Sequence, residues 1–381
     1  MTEKTNNTKA GAWNDATTTL AAHAARRHAP LRGTFELTPR CNFNCKMCYV
    51  HMAAKEISAC EGKELSAKQW LKTAEEAFTN GTLNLLLTGG EPLIRNDFKE
   101  IYTEITKMGF IISINTNASL MNKQYFELFS KYPPTSVAVT LYGVNGETYY
   151  NITGNADNYA KTIRGLDYLA EIPTSLEIRS TFIKYNKDQL DRLRETANKY
   201  TKKFAVNYLV FKQMPGVTSS AEQCRLTAKE CLDIDISNTK YYREYGDDDG
   251  SAINISFDGE KKESDDDDKD FGFDLPPKVL SCMAGKSMYW IRWDGKMLPC
   301  GTFGTPYTLP LEEGFKEAWD RLPKLLDDID HPKKCMECEL FHSCPNCPAY
   351  CQVETGSFDK VPAYLCEIAK ERIKRYTEEG I

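Results

Sequence analysis

Between residues 33 and 211, short apolar runs alternate with longer stretches of helical periodicity. The short runs have the length of strands and lie at 34–38, 83–88, 110–115, 136–141, 175–182 and 204–210. Helical periodicity lies between them at 66–79, 97–108, 122–129, 158–169 and 187–200. Continuous apolar runs are typical of parallel strands, which are buried on both faces. The pattern predicts an α/β fold, an open partial (β/α)6 TIM-like barrel with its chemistry at the carboxyl ends of the strands.

A second folded region is predicted near the C-terminus. Residues 287–293 form a β-prone run that leads into Asp294-Gly295, a dipeptide typical of hairpin turns. The returning strand ends at Cys300, and helices are expected at 314–326 and from Cys366 onward. We therefore expect a small domain that begins with a β-hairpin.

A highly acidic segment separates the two regions. Residues 247–274 contain twelve acidic residues and three lysines, a local charge of −9, whereas the whole chain carries −6. Such a run is typical of a solvated linker. An amphipathic helix is expected near the N-terminus, at about 15–28. The predicted parts are a partly disordered, partly helical segment (1–32), the barrel (33–240), an acidic linker (241–278) and a cysteine-rich domain (279–381).

The overall composition is that of a soluble globular protein. Of the 381 residues, 41% are hydrophobic and 27% are charged. The sequence has no apolar run that could span a bilayer, no secretory signal and no basic, aromatic-rich patch for nucleic acid, so neither a membrane nor a nucleic acid is expected as a partner. Fourteen cysteines in an unexported chain indicate metal or redox chemistry in the reducing cytoplasm of an anaerobe.

The first candidate site is a loop that contains Cys41, Cys45 and Cys48. Three thiols this close do not form ordinary disulfides, because the loop is tight and one thiol would be left over. Soft sulfur ligands favour zinc or an iron–sulfur cluster, and His51 is available as a fourth ligand for zinc. The Cys-x3-Cys-x2-Cys spacing, however, resembles the signature of the radical SAM superfamily.

That resemblance implies that the three cysteines bind a [4Fe–4S] cluster whose fourth iron holds S-adenosylmethionine (SAM). The reduced cluster would cleave SAM to a 5′-deoxyadenosyl radical, which abstracts hydrogen from a substrate. The segment Gly89-Gly90-Glu91-Pro92 follows the second predicted strand and resembles the superfamily motif that meets the methionine amino group. A plain strand-to-helix turn is the alternative reading of this segment.

Further SAM contacts are implied at the ends of the other strands. Arg179 is the expected partner of the SAM carboxylate, because its planar fork suits that geometry. Met47 stands where the superfamily usually has an aromatic residue, although Tyr49 is aromatic. No general base is assigned. The full set of expected SAM-binding residues is Met47, Tyr49, Gly89, Gly90, Glu91, Pro92, Asn117, Thr140 and Arg179.

The second candidate site is a group of eight cysteines near the C-terminus, enough for two further [4Fe–4S] clusters. They are Cys282, Cys300, Cys335, Cys338, Cys344, Cys347, Cys351 and Cys366. A zinc ribbon built on the two Cys-x2-Cys pairs is the alternative, but it would leave four of the cysteines unexplained. The arrangement resembles the SPASM domain, with Pro348 standing where the family has a cysteine ligand.

The SPASM resemblance also implies how these cysteines are divided. Those matching the outer cluster are Cys335, Cys338, Cys344 and Cys366. Cys282 and Cys300 match the inner cluster, for which Cys347 and Cys351 are the remaining candidates. Cys351 is expected to be the more secure of these two ligands. If only one of them binds, the inner cluster has an open iron that could take a substrate thiolate.

Both resemblances together imply a radical SAM oxidoreductase that modifies a peptide or protein side chain, as in the maturation of ribosomally made peptides, with crosslinks or thioethers as products. The alternatives are an anaerobic sulfatase-maturating enzyme that forms formylglycine, a small-molecule oxidoreductase, and a non-catalytic cluster-binding protein. Residues 1–32 are too few for a leader-binding domain, so the expectation is either that a separate leader-binding protein presents the substrate or that the substrate needs no such domain. Flavodoxin or ferredoxin is the expected electron donor.

Overall fold

The computed structural model describes residues 19–60, 62–212, 219–245, 280 and 282–381. Its centre is an eight-stranded sheet with the strand order β6-β5-β4-β3-β2-β1-β7-β8. The strands are β1 (Arg32–Glu36), β2 (Asn84–Thr88), β3 (Ile111–Thr116), β4 (Ser136–Thr140), β5 (Ser175–Thr181), β6 (Phe204–Asn207), β7 (Met288–Ile291) and β8 (Met297–Leu298). Adjacent strands from β6 to β7 are parallel, and only β8 is antiparallel to its neighbour. The predicted α/β class and parallel sheet are confirmed, and the open order fits a partial barrel.

Helices cover the sheet and extend beyond it. Those in the described residues are α1 (residues 19–26), α2 (Ala54–Ala59), α3 (Ala67–Thr79), α4 (Phe98–Met108), α5 (Lys123–Lys131), α6 (Gly146–Thr153), α7 (Asp157–Ala170), α8 (Leu190–Ala197), α9 (Ala221–Cys224), α10 (Ala228–Tyr245), α11 (Pro310–Glu313), α12 (Phe315–Arg321), α13 (Lys333–Met336), α14 (Pro348–Thr355) and α15 (Ala363–Glu379). None of these described helices is both long and apolar enough to cross a membrane.

Most of the elements in the barrel lie within a few residues of where the pattern predicts them. Helix α6 was not predicted, because eight residues give too short a window for a clear helical period. The sixth strand ends at Asn207, earlier than the predicted 210. The acidic run 247–274 and the start of the predicted N-terminal helix lie outside the described residues.

The two faces of the sheet differ in character. Phe35 and Leu37 of the first strand region are fully buried on the helix side, where the Phe35 ring lies 4.9 Å from that of Trp70. The alternating positions on the opposite face are polar on several strands. Thr181 is paired in register with Asn207, for example, and side chains paired in register share a face. A polar inner face can solvate a polar ligand at the carboxyl edge of the sheet.

Candidate active site

The loop that follows β1 brings Cys41, Cys45 and Cys48 together near the carboxyl edge of the sheet. The Phe43 N–H donates to Cys41 Sγ at 3.3 Å, and the His51 N–H donates to Cys48 Sγ at 3.2 Å. Hydrogen bonds to sulfur stabilise thiolate ligands and tune the clusters that they bind. The loop is therefore built to carry negative charge on its sulfurs.

Burial raises the pKa of all three thiols. The pKa of Cys41 rises to about 12, with the Glu91 carboxylate adding to the effect of burial. For Cys45 and Cys48 the pKa also rises, and burial is again the largest cause. Buried thiols of this kind lose their protons when a metal binds, and the metal then supplies the compensating positive charge. Three neighbouring thiols, of which Cys45 is buried and the other two are partly buried, fit a cluster that keeps one iron free for another ligand.

Helix α6 fixes the middle of the cysteine loop. The N–H groups of Asn44 and Lys46 donate to the carbonyl oxygens of Thr153 and Ile152, at 3.2 and 3.1 Å, in the last turn of this helix. Carbonyls in the last turn of a helix have no partner within it and are free to accept such bonds. Gly154 then ends the helix in the left-handed region, with φ of 82°.

The Gly-Gly motif lies directly against the chain that leads to the cysteines. The Gly90 N–H donates to Thr38 O at 2.7 Å, and the Glu91 N–H donates to Arg40 O at 2.9 Å. A Cβ atom on Gly90 would lie 2.4 Å from Arg40 O, and one on Gly89 would lie 2.5 Å from Thr38 O. Only glycine allows this approach. The motif therefore holds the end of β2 against the start of the cysteine loop.

The Glu91 side chain connects the ends of β2 and β3. Its Oε1 accepts from the Leu93 N–H (3.0 Å) and from Thr116 Oγ1 (2.8 Å), and its Oε2 accepts from the Asn117 N–H (2.7 Å). Burial raises the pKa of Glu91 to about 7, although these bonds oppose the shift. Asn117 in turn donates to Asn42 Oδ1 at 3.0 Å. Glu91 thus positions a residue that touches the cysteine loop.

A cavity of about 420 Å³ opens beside the cysteines. This volume is in the range of sites for small molecules and cofactors. Its lining combines the cysteine loop, the ends of β4, β5 and β6, and the C-terminal region. The main lining residues are Cys45, Met47, Cys48, Tyr49, Thr140, Tyr142, Thr181, Asn207, Phe211, Thr302 and Tyr350.

The cavity contains three of the residues that the sequence indicated for SAM, namely Met47, Tyr49 and Thr140. Asn207 was not predicted, although a polar residue at a strand end is a usable signal. Phe211 and Tyr350 gave no such signal, because only folding brings them to the same wall. Gly89, Gly90, Glu91, Pro92 and Asn117 lie next to the loop but do not line the cavity.

Arg179 is already engaged by another residue. Its Nε donates to Glu177 Oε1 at 2.6 Å and its Nη2 donates to Glu177 Oε2 at 3.0 Å, a bidentate pair on one face of β5. Its Nη1 lies 3.5 Å from Asn115 Oδ1. To bind a carboxylate in the cavity, Arg179 would have to exchange this partner.

Asn346 is the centre of one group of C-terminal thiols. Its side chain hydrogen-bonds the thiol of Cys335 and accepts from the Cys351 S–H at 3.4 Å, while its backbone N–H donates to Cys344. Burial, and then the proximity of Cys366 and Cys335, raises the pKa of Cys344 to about 12. Cys366 also interacts with Cys338. The four cysteines expected at the outer cluster therefore lie together.

A second group of C-terminal thiols, Cys282, Cys300 and Cys347, lies beside β8. Burial raises the pKa of Cys347 to about 12, and the neighbouring thiols that add to this effect are Cys300 and Cys282. Cys300 and Cys347 both pack against the apolar cluster that includes Phe303 and Ala349. The three cysteines of this group match the expected position of the inner cluster.

Cys351, which the spacing favours as an inner ligand, lies close to thiols of both groups. Burial, and then the proximity of Cys335 and Cys347, raises the pKa of Cys351 to about 12. Its S–H donates to Asn346 Oδ1 at 3.4 Å. Cys347 is the N-cap of α14 with an extended backbone, whereas Cys351 lies one turn inside the helix.

In the described part of the chain, no three His, Cys, Asp or Glu side chains converge closely enough to bind a single metal ion. Sulfur ligands of one zinc ion lie roughly 4 Å apart, given the ~2.3 Å Zn–S bond and tetrahedral geometry. Thiols that bind a [4Fe–4S] cluster are further apart, because each binds a different iron.

Residues 35–197 match the family model described as the Radical SAM superfamily. They form a radical SAM domain. Members of this superfamily are enzymes that use a [4Fe–4S] cluster and SAM, so the chain contains a radical SAM enzyme domain.

Two curated relatives match most of the chain. AdoMet-dependent heme synthase of Methanosarcina barkeri is 26% identical over 355 residues, covering 88% of this chain and 95% of that protein. The sporulation killing factor maturation protein SkfB of Bacillus subtilis is 25% identical over 336 residues, covering 86% of this chain and 74% of SkfB. The radical SAM enzyme therefore resembles proteins with different substrates at similar levels of identity.

Two solved structures share the fold over nearly the whole chain. SuiB of Streptococcus suis bound to precursor peptide SuiA has a TM-score of 0.64 at 19% identity, covering 96% of this chain and 82% of SuiB. The enzyme anSMEcpe with bound AdoMet and the Cp18Cys peptide has a TM-score of 0.65 at 15% identity, covering 92% of this chain and 98% of that one. At these identities the likeness establishes the fold alone.

Proposed function

We propose that this radical SAM enzyme oxidatively modifies a side chain of a peptide or protein, in the manner of maturases that introduce crosslinks or thioethers. Cys41, Cys45 and Cys48 would hold the SAM-binding [4Fe–4S] cluster, and the C-terminal cysteines would hold two auxiliary clusters. With SAM bound and the cluster reduced, the chemistry supplied is a 5′-deoxyadenosyl radical.

The observation that carries this proposal is the composition of the cavity wall. Cys45 and Cys48 form one side of the cavity, and Thr302 and Tyr350 of the C-terminal region form another. The Tyr350 ring stacks on Phe211 with centroids 4.0 Å apart, which joins the two regions. Tyr350 also lies near Cys347, Cys300 and Cys282. A substrate in this cavity would therefore lie between the radical source and the inner auxiliary site.

The residues of the inner face would bind and orient SAM. We propose contacts from Met47, Tyr49 and Thr140 inside the cavity, and from the Gly89 to Pro92 segment and Asn117 at its edge. Arg179 would contribute only if the SAM carboxylate displaces Glu177. Two aromatic residues, Tyr142 and Tyr350, would help to exclude water from the reacting atoms.

The relatives support a peptide as the substrate. SkfB is a maturation protein for a killing factor, and SuiB has been solved with a precursor peptide. We propose that a separate protein presents the peptide here and that flavodoxin or ferredoxin supplies electrons. We further propose the domain division 1–32, 33–240, 241–278 and 279–381.

Replacing Cys41, Cys45 and Cys48 together with Ala tests the first step. The variant should form no 5′-deoxyadenosine from SAM under strong reductant, because the iron that binds SAM is lost. It should keep about eight of the roughly twelve irons of the parent, since the two auxiliary clusters remain. Chromatographic assay of deoxyadenosine and iron analysis measure both. Continued deoxyadenosine formation by the variant would contradict the assignment.

A small molecule is the second candidate substrate. The observation that favours it is the match to AdoMet-dependent heme synthase, of which the chain covers 95%. Mass spectrometry after turnover with peptides encoded beside the gene, sulfatase-derived peptides and tetrapyrrole precursors of heme distinguishes the candidates. A peptide product lighter by two hydrogens is expected. A changed mass of the tetrapyrrole, with unchanged peptides, would replace the proposal by the small-molecule function.

A further inference from the structure

A buried arginine, Arg372 of α15, lies next to the thiols expected at the outer cluster. Arg372 is 8% exposed, and its Nη1 donates to Ser343 O at 3.3 Å. Ser343 directly precedes Cys344 in the chain. Burial is the largest influence on the pKa of Cys344 and raises it, whereas the Arg372 guanidinium acts in the opposite direction. A full positive charge therefore lies close to one sulfur of the outer group.

The charge of Arg372 is only partly compensated by its neighbours. Its Nη2 donates to the Tyr208 hydroxyl at 2.8 Å, and this partner is neutral because burial raises the pKa of Tyr208. Its Nε lies 3.6 Å from Asp235 Oδ2 and makes no hydrogen bond within the described part of the chain. Asp235 is therefore a loosely held counter-charge for the guanidinium.

Two further cations near the outer group lie at the protein surface. Lys334 and Lys370 both act on Cys366, where the Glu367 carboxylate offsets them. Both lysines are exposed. Water and dissolved salt screen charges at the surface, whereas a buried charge acts through a medium of lower dielectric constant. Of these three cations, Arg372 is therefore expected to have the largest effect on the outer site.

A positive charge in this position changes the energy of a bound cluster. Reduction of a [4Fe–4S] cluster adds one electron, and therefore one negative charge, to a site that already carries thiolates. A nearby cation stabilises the reduced form more than the oxidised form, because Coulomb attraction grows with the negative charge of the cluster. Arg372 is therefore placed to favour the reduced form of the outer cluster.

We propose that Arg372 raises the reduction potential of the outer auxiliary cluster, and that Asp235 limits this effect by partly neutralising the guanidinium. Arg372 is not a ligand and acts on the cluster through space. The inference rests on the outer cluster of the proposed function, and it does not depend on which substrate the enzyme modifies.

Potentiometric titration of the anaerobically reconstituted full chain, followed by electron paramagnetic resonance (EPR), tests the role of Arg372. Cys41, Cys45 and Cys48 are replaced by Ala to remove the signal of the SAM-binding cluster. The signal that is lost when Cys338→Ala is added identifies the outer cluster. In the same background, Arg372→Gln should shift the midpoint potential of this signal to more negative values, whereas Arg372→Lys keeps the charge and should stay closer to the parent. An unshifted or more positive midpoint in Arg372→Gln would overturn the proposal.

Asp235→Asn provides a test of opposite sign and covers the case in which Arg372→Gln does not fold. Asparagine removes the negative charge but can still accept the hydrogen bond that the Tyr376 hydroxyl donates at 3.0 Å. The guanidinium is then less compensated, so the midpoint potential should shift to more positive values. Simple loosening of the helix would not move the two variants in opposite directions. A negative shift, or none, in a folded Asp235→Asn variant would contradict the proposal.

Arg375→Gln is the matched control on the same helix. Arg375 lies three residues further along α15 and pairs with Asp233 at 2.9 Å and with Glu379 at 3.9 Å. Because two carboxylates compensate its charge, the midpoint potential of the outer cluster should be that of the parent. Equal negative shifts in Arg375→Gln and Arg372→Gln would show that Arg372 has no special role.

Iron analysis of the same samples separates this inference from the proposed function. The background protein should contain about eight irons, and Cys338→Ala should lower that number. If Cys338→Ala removes neither iron nor an EPR signal, the outer cluster is wrongly assigned and the role of Arg372 fails with it. If the outer signal is present and its potential does not respond to Arg372→Gln, only the inference about Arg372 is wrong.

Discussion

At the scale of single residues, Glu36 is the most unusual group beside the site. It is buried at the end of β1 and accepts a hydrogen bond from Trp290 Nε1 at 3.0 Å. Burial raises its pKa from the ordinary 4.5 to about 8, although Trp290 and the nearby Arg292 act in the opposite direction. Glu36 therefore carries a proton in the folded protein near pH 7, where the same group is ionised in an unfolded chain.

We predict that Glu36→Gln changes the pH dependence of stability. Between pH 4.5 and 8 the folded enzyme binds a proton at Glu36 that the unfolded chain has released. The stability of the native enzyme therefore falls as pH rises through this window, by up to about 1.4 kcal/mol per pH unit. Glutamine cannot ionise and can still accept the hydrogen bond from Trp290. The stability of the variant therefore does not fall with rising pH in this window.

Thermal unfolding of both proteins under anaerobic conditions measures the effect. The melting temperature of Glu36→Gln relative to the native enzyme should rise between pH 5.5 and pH 8.5. Glu127→Gln is the control, because Glu127 is exposed and pairs with Lys123 at 3.9 Å. A difference between Glu36→Gln and the native enzyme that stays constant with pH would disprove the prediction.

At the scale of elements, α6 acts as the support of the cysteine loop. Two carbonyl oxygens of α6 accept hydrogen bonds from backbone N–H groups of the loop, and Gly154 ends the helix with φ of 82°. A Cβ on Gly154 would meet no atom within 4 Å, so a substitution there acts through backbone conformation alone. The end of α6 can therefore be perturbed without direct contact with the cysteines.

We predict that Gly154→Ala destabilises the end of α6 by about 1 kcal/mol, because alanine disfavours the left-handed region. The carbonyls of Ile152 and Thr153 then hold Asn44 and Lys46 less firmly. The rate of deoxyadenosine formation should fall several-fold, and less iron should be retained after gel filtration.

Gly81→Ala provides the matched control for this change. Gly81 has φ of 99°, and its added Cβ would also meet nothing within 4 Å. It precedes β2, at the opposite end of the strand from the cysteine loop, so it should lower stability equally and leave deoxyadenosine formation unchanged. Equal losses of activity in both variants would show that α6 has no special role.

At the scale of the whole molecule, a buried ion pair joins the barrel to the C-terminal region. Arg225 Nη1 donates to both carboxylate oxygens of Glu354 in α14, at 3.0 and 2.9 Å. The backbone N–H of Lys212 also donates to Glu354 at 3.0 Å, and the Arg225 guanidinium lies 4.0 Å from the Tyr364 ring centroid. These contacts lie next to the wall formed by Phe211 and Tyr350.

We predict that Glu354→Gln loosens this junction by about 3 kcal/mol, because breaking a buried pair leaves Arg225 without its counter-charge. The C-terminal region should become more sensitive to limited proteolysis, and electron transfer to the proposed auxiliary clusters should slow. The exposed Lys123–Glu127 pair provides the control, since Glu127→Gln should cost less than about 1 kcal/mol. Identical proteolysis of the two variants would contradict the prediction.

Local sequence patterns are enough to predict the repeated strand–helix units and the radical SAM cysteine loop. The strand and helix periods are local, so windows of five to fifteen residues were enough to place β1 to β6 and most helices. The Cys41 to Cys48 spacing and the Gly89-Gly90 turn are local as well. Helix α6 was missed because its period is too short to read, although it supports the loop.

Local patterns do not predict which distant segments of the chain come into contact. The predicted hairpin adds β7 in parallel to β1, a pairing of residues some 250 positions apart that no local pattern specifies. Folding also brings Phe211 to Tyr350 and places Cys351 beside Asn346. The spacing alone had favoured Cys351 as a ligand of the inner cluster. Such contacts depend on packing between whole elements, and packing is a property of the folded chain that no local window of the sequence contains.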